Sequence, residues 1–388
     1  MDPAFYLDNA ATTRIFPEVL EQTLPLLGEE FGNPSSLHPL GNHARSAVKR
    51  ARETLAALLG VPPQGITFTG SGTESDNLAL RGAFGSARLK GERLLIGAIE
   101  HAAVRETARA LERQGARVET IPVTRQGVVD LAALERQLAT GGGGGGADVR
   151  VLSCMAVNNE IGTAQPLVAI GKLLRERAPK AVFHVDAVQA FAKLPIPWRA
   201  AGIDLISVSA HKVHGPKGVG ALVRCRPVPL ESQITGGGQE DGLRSGTESP
   251  FAVLALALAA ERSSALHREQ RPERAEYFAR WLDFLQQFPR VTAFRSEAAT
   301  PFIVNFSHAG VPGQVALHHL EQEGLYVSTR SACHTSRHEP SPVLLAVGLS
   351  EAEALSSLRL SFSVHNRLAD QERVFPAFRR AMEKLARV

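Results

Sequence analysis

The sequence predicts an α/β fold: a mostly parallel seven-stranded sheet with helices on both faces, plus a smaller α+β domain. Two observations predict it. Seven short β-rich runs, most of them separated by helical stretches, occupy residues 66–223, the pattern of strands joined by crossover helices. A long helical run over 251–287 then opens a second region with three further strand-like runs. The expected large domain is 14–257. Residues 1–13 and 258–388 are expected to form the small one.

Taken in order, residues 6–13 form a short polar-ended segment, 17–27 a helix and 31–36 a loop. Residues 44–59 form an amphipathic helix, with apolar side chains at 44, 47, 48, 51, 55, 58 and 59 repeating at helical spacing. The expected strands of the large sheet are 66–68, 93–99, 117–122, 149–157, 181–185, 205–209 and 219–223. Six consecutive glycines, 141–146, read as a flexible surface connection, the kind of place where a loop tolerates expansion. The strands of the second region are 302–306, 325–328 and 357–364. Within the last, Arg359, Ser361 and Ser363 share one face and the apolar residues the other, because strand side chains alternate.

The chain of 388 residues is long enough for two sizeable cores. It is 44% apolar and 21% charged, with a net charge of +4. No lysine/arginine block marks a nucleic-acid or membrane face. Residues 1–7 lack a secretory pattern, and the longest apolar run, 251–260, is too short to cross a bilayer. The three cysteines, Cys154, Cys225 and Cys333, show no disulfide or metal-site spacing. A cytoplasmic enzyme without a metal is the expectation.

Open parallel sheets hold ligands at the carboxyl ends of their strands, so the residues after each strand carry the chemistry. After 66–68 comes Thr69-Gly70-Ser71-Gly72-Thr73-Glu74-Ser75, then a helix from about Asp76: a cup for a phosphate, or only a tight turn. After 93–99 comes Glu100-His101, where an imidazole can stack on a ring or simply cap a helix. After 149–157 comes Asn158-Asn159-Glu160, in which Asn159 can donate to a ligand or serve a turn. After 181–185 comes Asp186, a carboxylate suited to a pyridinium nitrogen or to an N-cap. After 205–209 comes Lys212, one of only eight lysines beside thirty-five arginines. An amine at a buried strand end either snorkels to solvent or is used covalently on a carbonyl group. One such placement is unremarkable, but coincidence is a poor account of five at successive strand ends.

These residues, in this order, resemble the class V branch of the fold-type I enzymes of pyridoxal 5'-phosphate (PLP), and within it the group I cysteine desulfurases of iron–sulfur cluster assembly and nitrogenase maturation. The resemblance rests on YLDNAATT at 6–13, GNPSSLH at 32–38, TGSGTESDNLA at 69–79, EH at 100–101 and MAVNNEIG at 155–162. It continues through HVDAVQA at 184–190, SAHKVHGPKG at 209–218, GGGQEDGLRSGT at 236–247, SAC at 331–333, EPSPVL at 339–344 and SSLRLSFS at 356–363. It implies that Lys212 is the Schiff-base lysine, that Asp186 pairs with the pyridine nitrogen, that Gln189 donates to the ring oxygen and that His101 stacks on the ring. It further implies that Thr73, beside Gly72, holds the phosphate with Ser209 and His211, and that Thr247 reaches the phosphate of a neighbouring subunit in a homodimer. Asn33, Asn159 and Arg359 would hold the substrate carboxylate.

The implied activity is removal of sulfur from L-cysteine, giving L-alanine and a Cys333 persulfide that passes to an acceptor protein such as a cluster scaffold. Selenocysteine lyase, or a cysteine lyase that releases sulfide directly, is the alternative enzyme. A fold-retaining scaffold or sulfur relay is the alternative without catalysis. Cys333 lies in a polar stretch without helical or alternating pattern, a loop that can carry a nucleophile between site and partner. Arg330, Arg337, His334 and His338 would favour its thiolate. Arg330 stands where the family usually has glycine, and the stretch after Cys333 is richer in basic and imidazole groups than is usual. Cys154 reads as a buried apolar residue, and Cys225 as a strand end partly exposed.

Overall fold

The computed structural model describes residues 2–140, 146–329 and 339–385. Its larger sheet consists of β1 Ile66–Thr69, β2 Arg93–Gly97, β3 Arg117–Ile121, β4 Val149–Ser153, β5 Val182–Asp186, β6 Leu205–Ser209 and β7 Gly220–Arg224. The strand order is β1-β7-β6-β5-β4-β2-β3. β6, β5, β4, β2 and β3 pair in parallel, while β7 runs antiparallel to both β6 and β1. β2, β5 and β6 are buried along their whole length, as helices on both faces require. The expected strand at 149–157 leaves the ladder after Ser153. Cys154, Met155 and Val157 stay buried beyond it, so an apolar run alone could not mark where pairing stops.

Helix Pro39–Leu59 starts earlier than its apolar periodicity suggests. Pro39 supplies a preset φ in the first turn, His38 Nδ1 accepts from the Gly41 N–H at 3.3 Å, and Gly60 closes the helix at φ 65°. Its buried face packs on helix Pro250–Glu269. The helical run expected over 251–287 is two helices, Pro250–Glu269 and Arg271–Leu285. The break falls where Pro272 has no N–H to continue the first helix but suits the first turn of the next. The helix expected over 17–27 likewise changes to a 3-10 turn at Leu24–Leu27, around Pro25.

The second sheet is antiparallel, with order β10-β9-β8: β8 Val291–Ala293, β9 Ile303–His308 and β10 Ser357–Ser361. β8 is too short and too exposed to carry a readable period. Residues 325–328, expected as a strand, make only single bridges, Tyr326 to Tyr6 and Ser328 to Arg359. They lie between the N-terminal segment and the outer edge of β10, pairing with each for one residue.

One apolar core lies on one face of the large sheet and includes Leu55, Phe183 and the Val253–Ala260 stretch, while Leu94, Val151 and Leu222 pack on the other face. A second includes Trp281, Phe306, Leu358, Leu360 and Phe378, and also Ala4 and Leu7. The N-terminal segment thus leaves the second core and crosses toward the large sheet. No helix among the described residues is long and apolar enough to cross a membrane.

Candidate active site

The ends of β1, β4, β5 and β6 and the residues following β2 meet in one cavity of about 300 Å³, bounded on its other side by Ala10, Ala11 and Arg359. Ten of the expected residues line it: Gly72, Thr73, His101, Asn159, Asp186, Gln189, Ser209, His211, Lys212 and Arg359.

The turn after β1 is held from both sides. Ser71 caps helix Gly72–Gly85 by accepting from the Glu74 N–H at 3.1 Å. The Glu74 carboxylate accepts from the Gly70 N–H at 2.7 Å and from Arg244 Nε at 2.9 Å. A Cβ on Gly72 would lie 2.8 Å from Val188 Cγ2 and 3.4 Å from Ser209 Cβ, so only glycine allows the helix start to approach β5 and β6 this closely. Opposite, Ser209 Oγ is buried with no hydrogen-bond partner. A hydroxyl in that state costs about 1–3 kcal/mol unless a ligand satisfies it. His211 Nδ1 lies 3.3 Å from Thr12 Oγ1. Burial, with Lys212 and other lysines nearby, brings its pKa down to about 4, so at neutral pH it is an uncharged partner.

His101 caps helix Ala102–Glu112, its Nδ1 accepting from the Ala103 N–H at 3.1 Å. That bond leaves the ring proton on Nε2. The cap and the ligand-facing role are therefore compatible. Asp186 accepts from the Val188 N–H at 2.9 Å. Behind it, Asp76, Glu100 and His184 form a buried polar layer. His184 Nδ1 lies 2.9 Å from Ser153 Oγ, and its Nε2 lies 2.9 Å from Ser207 Oγ and 3.5 Å from Asp76 Oδ1. Burial pushes the Asp186 and Asp76 carboxyls up, and the charge of Asp186 pushes Asp76 further. A cationic ring nitrogen at Asp186 would offset that burial cost.

Glu100 accepts from the Met155 N–H at 2.6 Å, and burial raises its pKa to about 8. A carboxyl raised in this way keeps a proton in the folded chain that the unfolded chain has lost. Stability therefore falls as pH rises from the ordinary value of 4.5 toward about 8. Glu100→Gln has no proton to lose. Its melting temperature without cofactor, relative to the unsubstituted protein, is expected to rise between about pH 5 and about pH 8. Parallel pH profiles for the two proteins would refute this.

Lys212 ends the 3-10 turn after β6, and its Nζ donates to Ala10 O and Ala11 O, both at 2.6 Å. Gln189 Nε2 donates to the same Ala10 O at 3.0 Å. Arg359, expected on one face of an alternating strand, is buried on β10. Its Nη2 pairs with Asp8 Oδ1 at 2.7 Å, its Nη1 donates to Asn159 O at 2.9 Å, and its Nε has no hydrogen-bond partner. The turn role open to Asn159 falls to Asn158, whose Oδ1 accepts from the Glu160 and Ile161 N–H groups.

Two expected residues do not line the cavity. Asn33 is exposed, with its Oδ1 accepting from the Ser35 N–H at 2.9 Å, and Thr247 is exposed on the surface. Cys333, Arg330, His334, Arg337 and His338 lie outside the described residues, as does most of the glycine tract. The flanks of the cysteine segment are described. Ser328 pairs with Arg359, and Ser341 Oγ donates to Glu160 Oε2 at 2.6 Å. Cys225, expected to be partly exposed, is buried, and burial pushes its thiol up to about 12. Its N–H donates to Asp204 O, which holds the strand end inward. Sequence reasoning missed Asp76, Glu100, His184, Asp8 and the carbonyl of Ala10. The signal for Asp76 was a carboxylate in the first turns of an otherwise well-packed helix.

These groups define a site for a phosphate-bearing pyridine aldehyde. The orphaned Ser209 hydroxyl, the glycine-tight cup, the carboxylate at Asp186 and the amine at Lys212 fit PLP. The family model for aminotransferase class-V matches residues 5–374, and the chain belongs to that family. It is 41% identical over 379 residues to the cysteine desulfurase IscS of Neisseria meningitidis, covering 95% of this chain and 89% of that one. Its identity to the cysteine desulfurase IscS of Dictyoglomus turgidum is 37% over 384 residues, 98% and 95% of the two chains. The solved structure of a NifS-like protein superposes with a TM-score of 0.90 at 32% identity, covering 99% of this chain and 100% of that one.

Proposed function

We propose that the chain is a PLP-dependent L-cysteine desulfurase that yields L-alanine and a persulfide on Cys333. The observation that carries this reading is the convergence of Lys212, Asp186, His101 and Ser209 with a buried guanidinium, Arg359, in one cavity. When bound, the cofactor supplies a carbonyl carbon for amines and a ring that draws electron density from the substrate Cα. Thr73, Ser209 and His211 would hold its phosphate, Asp186 would keep its ring nitrogen protonated, Gln189 would donate to its ring oxygen and His101 would lie against its ring. Lys212 Nζ would be the amine for the carbonyl carbon and the base that moves the proton at the cysteine Cα.

Arg359 meets the substrate carboxylate with Asn159, and Nε is its unused donor. Asn33, also assigned to that contact by resemblance, is turned to its own loop here. The Cys333 thiolate forms a bond to the substrate sulfur while the substrate C–S bond breaks. The electron pair of that bond stays with the three-carbon fragment, which takes up protons and leaves as alanine. Two features support Cys333: its flanks are tied to Arg359 and Glu160, and both other thiols are buried.

The reading extends to a cytoplasmic homodimer in which Thr247 reaches the neighbouring phosphate, and to a sulfur-acceptor protein such as an iron–sulfur cluster scaffold. Five large apolar side chains, Leu24, Leu27, Phe31, Leu37 and Leu40, are exposed within one short stretch, which supports association through that face. The test is a single-turnover incubation of the PLP-loaded protein with cysteine and no reductant, measuring alanine and sulfide, with mass spectrometry of the Cys333 peptide. Equimolar alanine and a persulfide on Cys333 are expected. Sulfide without any persulfide would overturn the reading in favour of direct lysis.

A separate substitution tests the carboxylate contact. Lysine cannot reproduce the planar fork of Arg359. Arg359→Lys is expected to raise the cysteine KM about tenfold or more, about 1.4 kcal/mol, with PLP retained by absorbance. An unchanged KM would remove Arg359 from the substrate site.

A further inference from the structure

A second cavity, of about 410 Å³, lies behind the first, between the end of helix Pro39–Leu59, the 191–196 segment, helices Pro250–Glu269 and Arg271–Leu285, and Phe302. Its walls are of two kinds. Phe191, Leu194, Ile196 and Phe302 provide an apolar surface, and Lys193, Arg268, Arg271 and Arg274 bring four cations to it. Among the described residues no carboxylate lines this cavity, and none of the four cations has an ion-pair partner. Glu273, the nearest acid in sequence to Arg274, acts on it only through space and makes its ion pair with Arg367 at 2.7 Å, while the Arg274 guanidinium lies over the Tyr277 ring, 5.1 Å from its centroid.

Arg274 is buried. Its Nη2 donates to the Ser363 and Asn366 carbonyls, while Nε and Nη1 have no hydrogen-bond partner. Burial lowers its pKa to about 10 and that of Lys193 to about 7, and the charges acting on Lys193, from Lys212 and Arg359, are positive too. His267, buried against Phe302 with ring centroids 5.2 Å apart, also lies near positive neighbours, Lys193 and Arg274. Buried or crowded cations are ordinarily paired, because leaving them unpaired costs several kcal/mol per charge. A concave apolar site with convergent unpaired cations is the arrangement that binds an anion carrying an apolar body.

We propose that this cavity binds a small amphiphilic organic anion, a carboxylate or phosphate attached to an apolar group. The apolar group rests on Phe191, Ile196 and Phe302, and the anionic end lies among Arg268, Arg271 and Lys193. The cavity backs onto the catalytic one. Lys193 Nζ is 3.4 Å from Gln189 Oε1, and Gln189 shares Ala10 O with Lys212.

The test is calorimetric titration of the cofactor-loaded protein, whose phosphate cup is filled, with phenyl phosphate and separately with inorganic phosphate. Arg268 and Arg271 are exposed at the rim, so an Arg268→Gln, Arg271→Gln double variant should keep its fold, which cofactor absorbance and melting temperature would check. Phenyl phosphate is expected to bind saturably, about tenfold or more tighter than inorganic phosphate, and to weaken about tenfold or more in the double variant. Arg113→Gln, at an exposed arginine elsewhere, should leave binding unaltered. The proposal is overturned by absence of saturable binding, by equal affinity for the two probes, or by binding that the double variant does not change.

Discussion

Lys212→Ala is expected to keep PLP, through the phosphate cup and Asp186, and to lose turnover. The amine is not replaceable from nearby. Lys193, the other lysine behind the site, is directed to Gln189 Oε1 at 3.4 Å, whereas Lys212 Nζ is fixed on the Ala10 and Ala11 carbonyls. A positioned base alone contributes about 10²–10⁴-fold, and the covalent role adds to that. Alanine formation from cysteine should therefore fall by about 10⁴-fold or more. The variant's spectrum should lack the near-visible band of a lysine-bound cofactor while the cofactor still co-elutes with the protein. Normal alanine production from Lys212→Ala would remove this lysine from the reaction.

Cys333→Ala is expected to bind PLP and cysteine normally and to form neither persulfide nor alanine above the background rate. Cys154→Ala and Cys225→Ala should stay active. The contrast has a physical basis. Only a thiolate attacks sulfur, and an ordinary thiol titrates near about 8.5. Cys154 is fully buried and its thiol is held well above that range, and burial pushes Cys225 up to about 12. Neither lines the catalytic cavity. If Cys333→Ala still passes sulfur to an acceptor at a near-normal rate, the persulfide step is wrong and direct release of sulfide takes its place.

The parts of this architecture written as continuous patterns were legible in the sequence. The strands β2, β5 and β6 are buried throughout and built mainly of apolar residues, and the groups of the cavity stand at strand ends or just beyond them, as Asp186 and Lys212 do. What was not legible depends on distant chain segments meeting. Leu325 to Ser328 has strand composition, yet finds one paired residue on each side because of where the N-terminal segment and β10 lie. Arg359 was readable as sharing a face with Ser361, but its partner, Asp8, is 351 positions away in sequence. The Asp76–His184 layer was equally hidden, since a carboxylate on one helix and an imidazole on a strand carry no joint sequence signal. Asn33 illustrates the reverse: the motif around it is clear, but its side chain turns to its own loop.

The segment at Asp8 to Ala11 has a consequence for how the protein is made. It precedes the large sheet in the chain, yet its fixed points lie on β10, which follows that sheet. Ala10 N–H donates to Ser361 Oγ at 2.8 Å, and Asn9 Nδ2 donates to Ser361 O at 2.9 Å. The large sheet can assemble during synthesis from segments near one another in sequence, because domains fold as units while the chain grows. The cavity cannot, since its far wall needs the opening residues and β10 together, a closure of very long range. A nascent or prematurely ended chain can therefore own Lys212 and Asp186 in folded surroundings and still lack a closed reaction chamber. Closure of that chamber waits on β10.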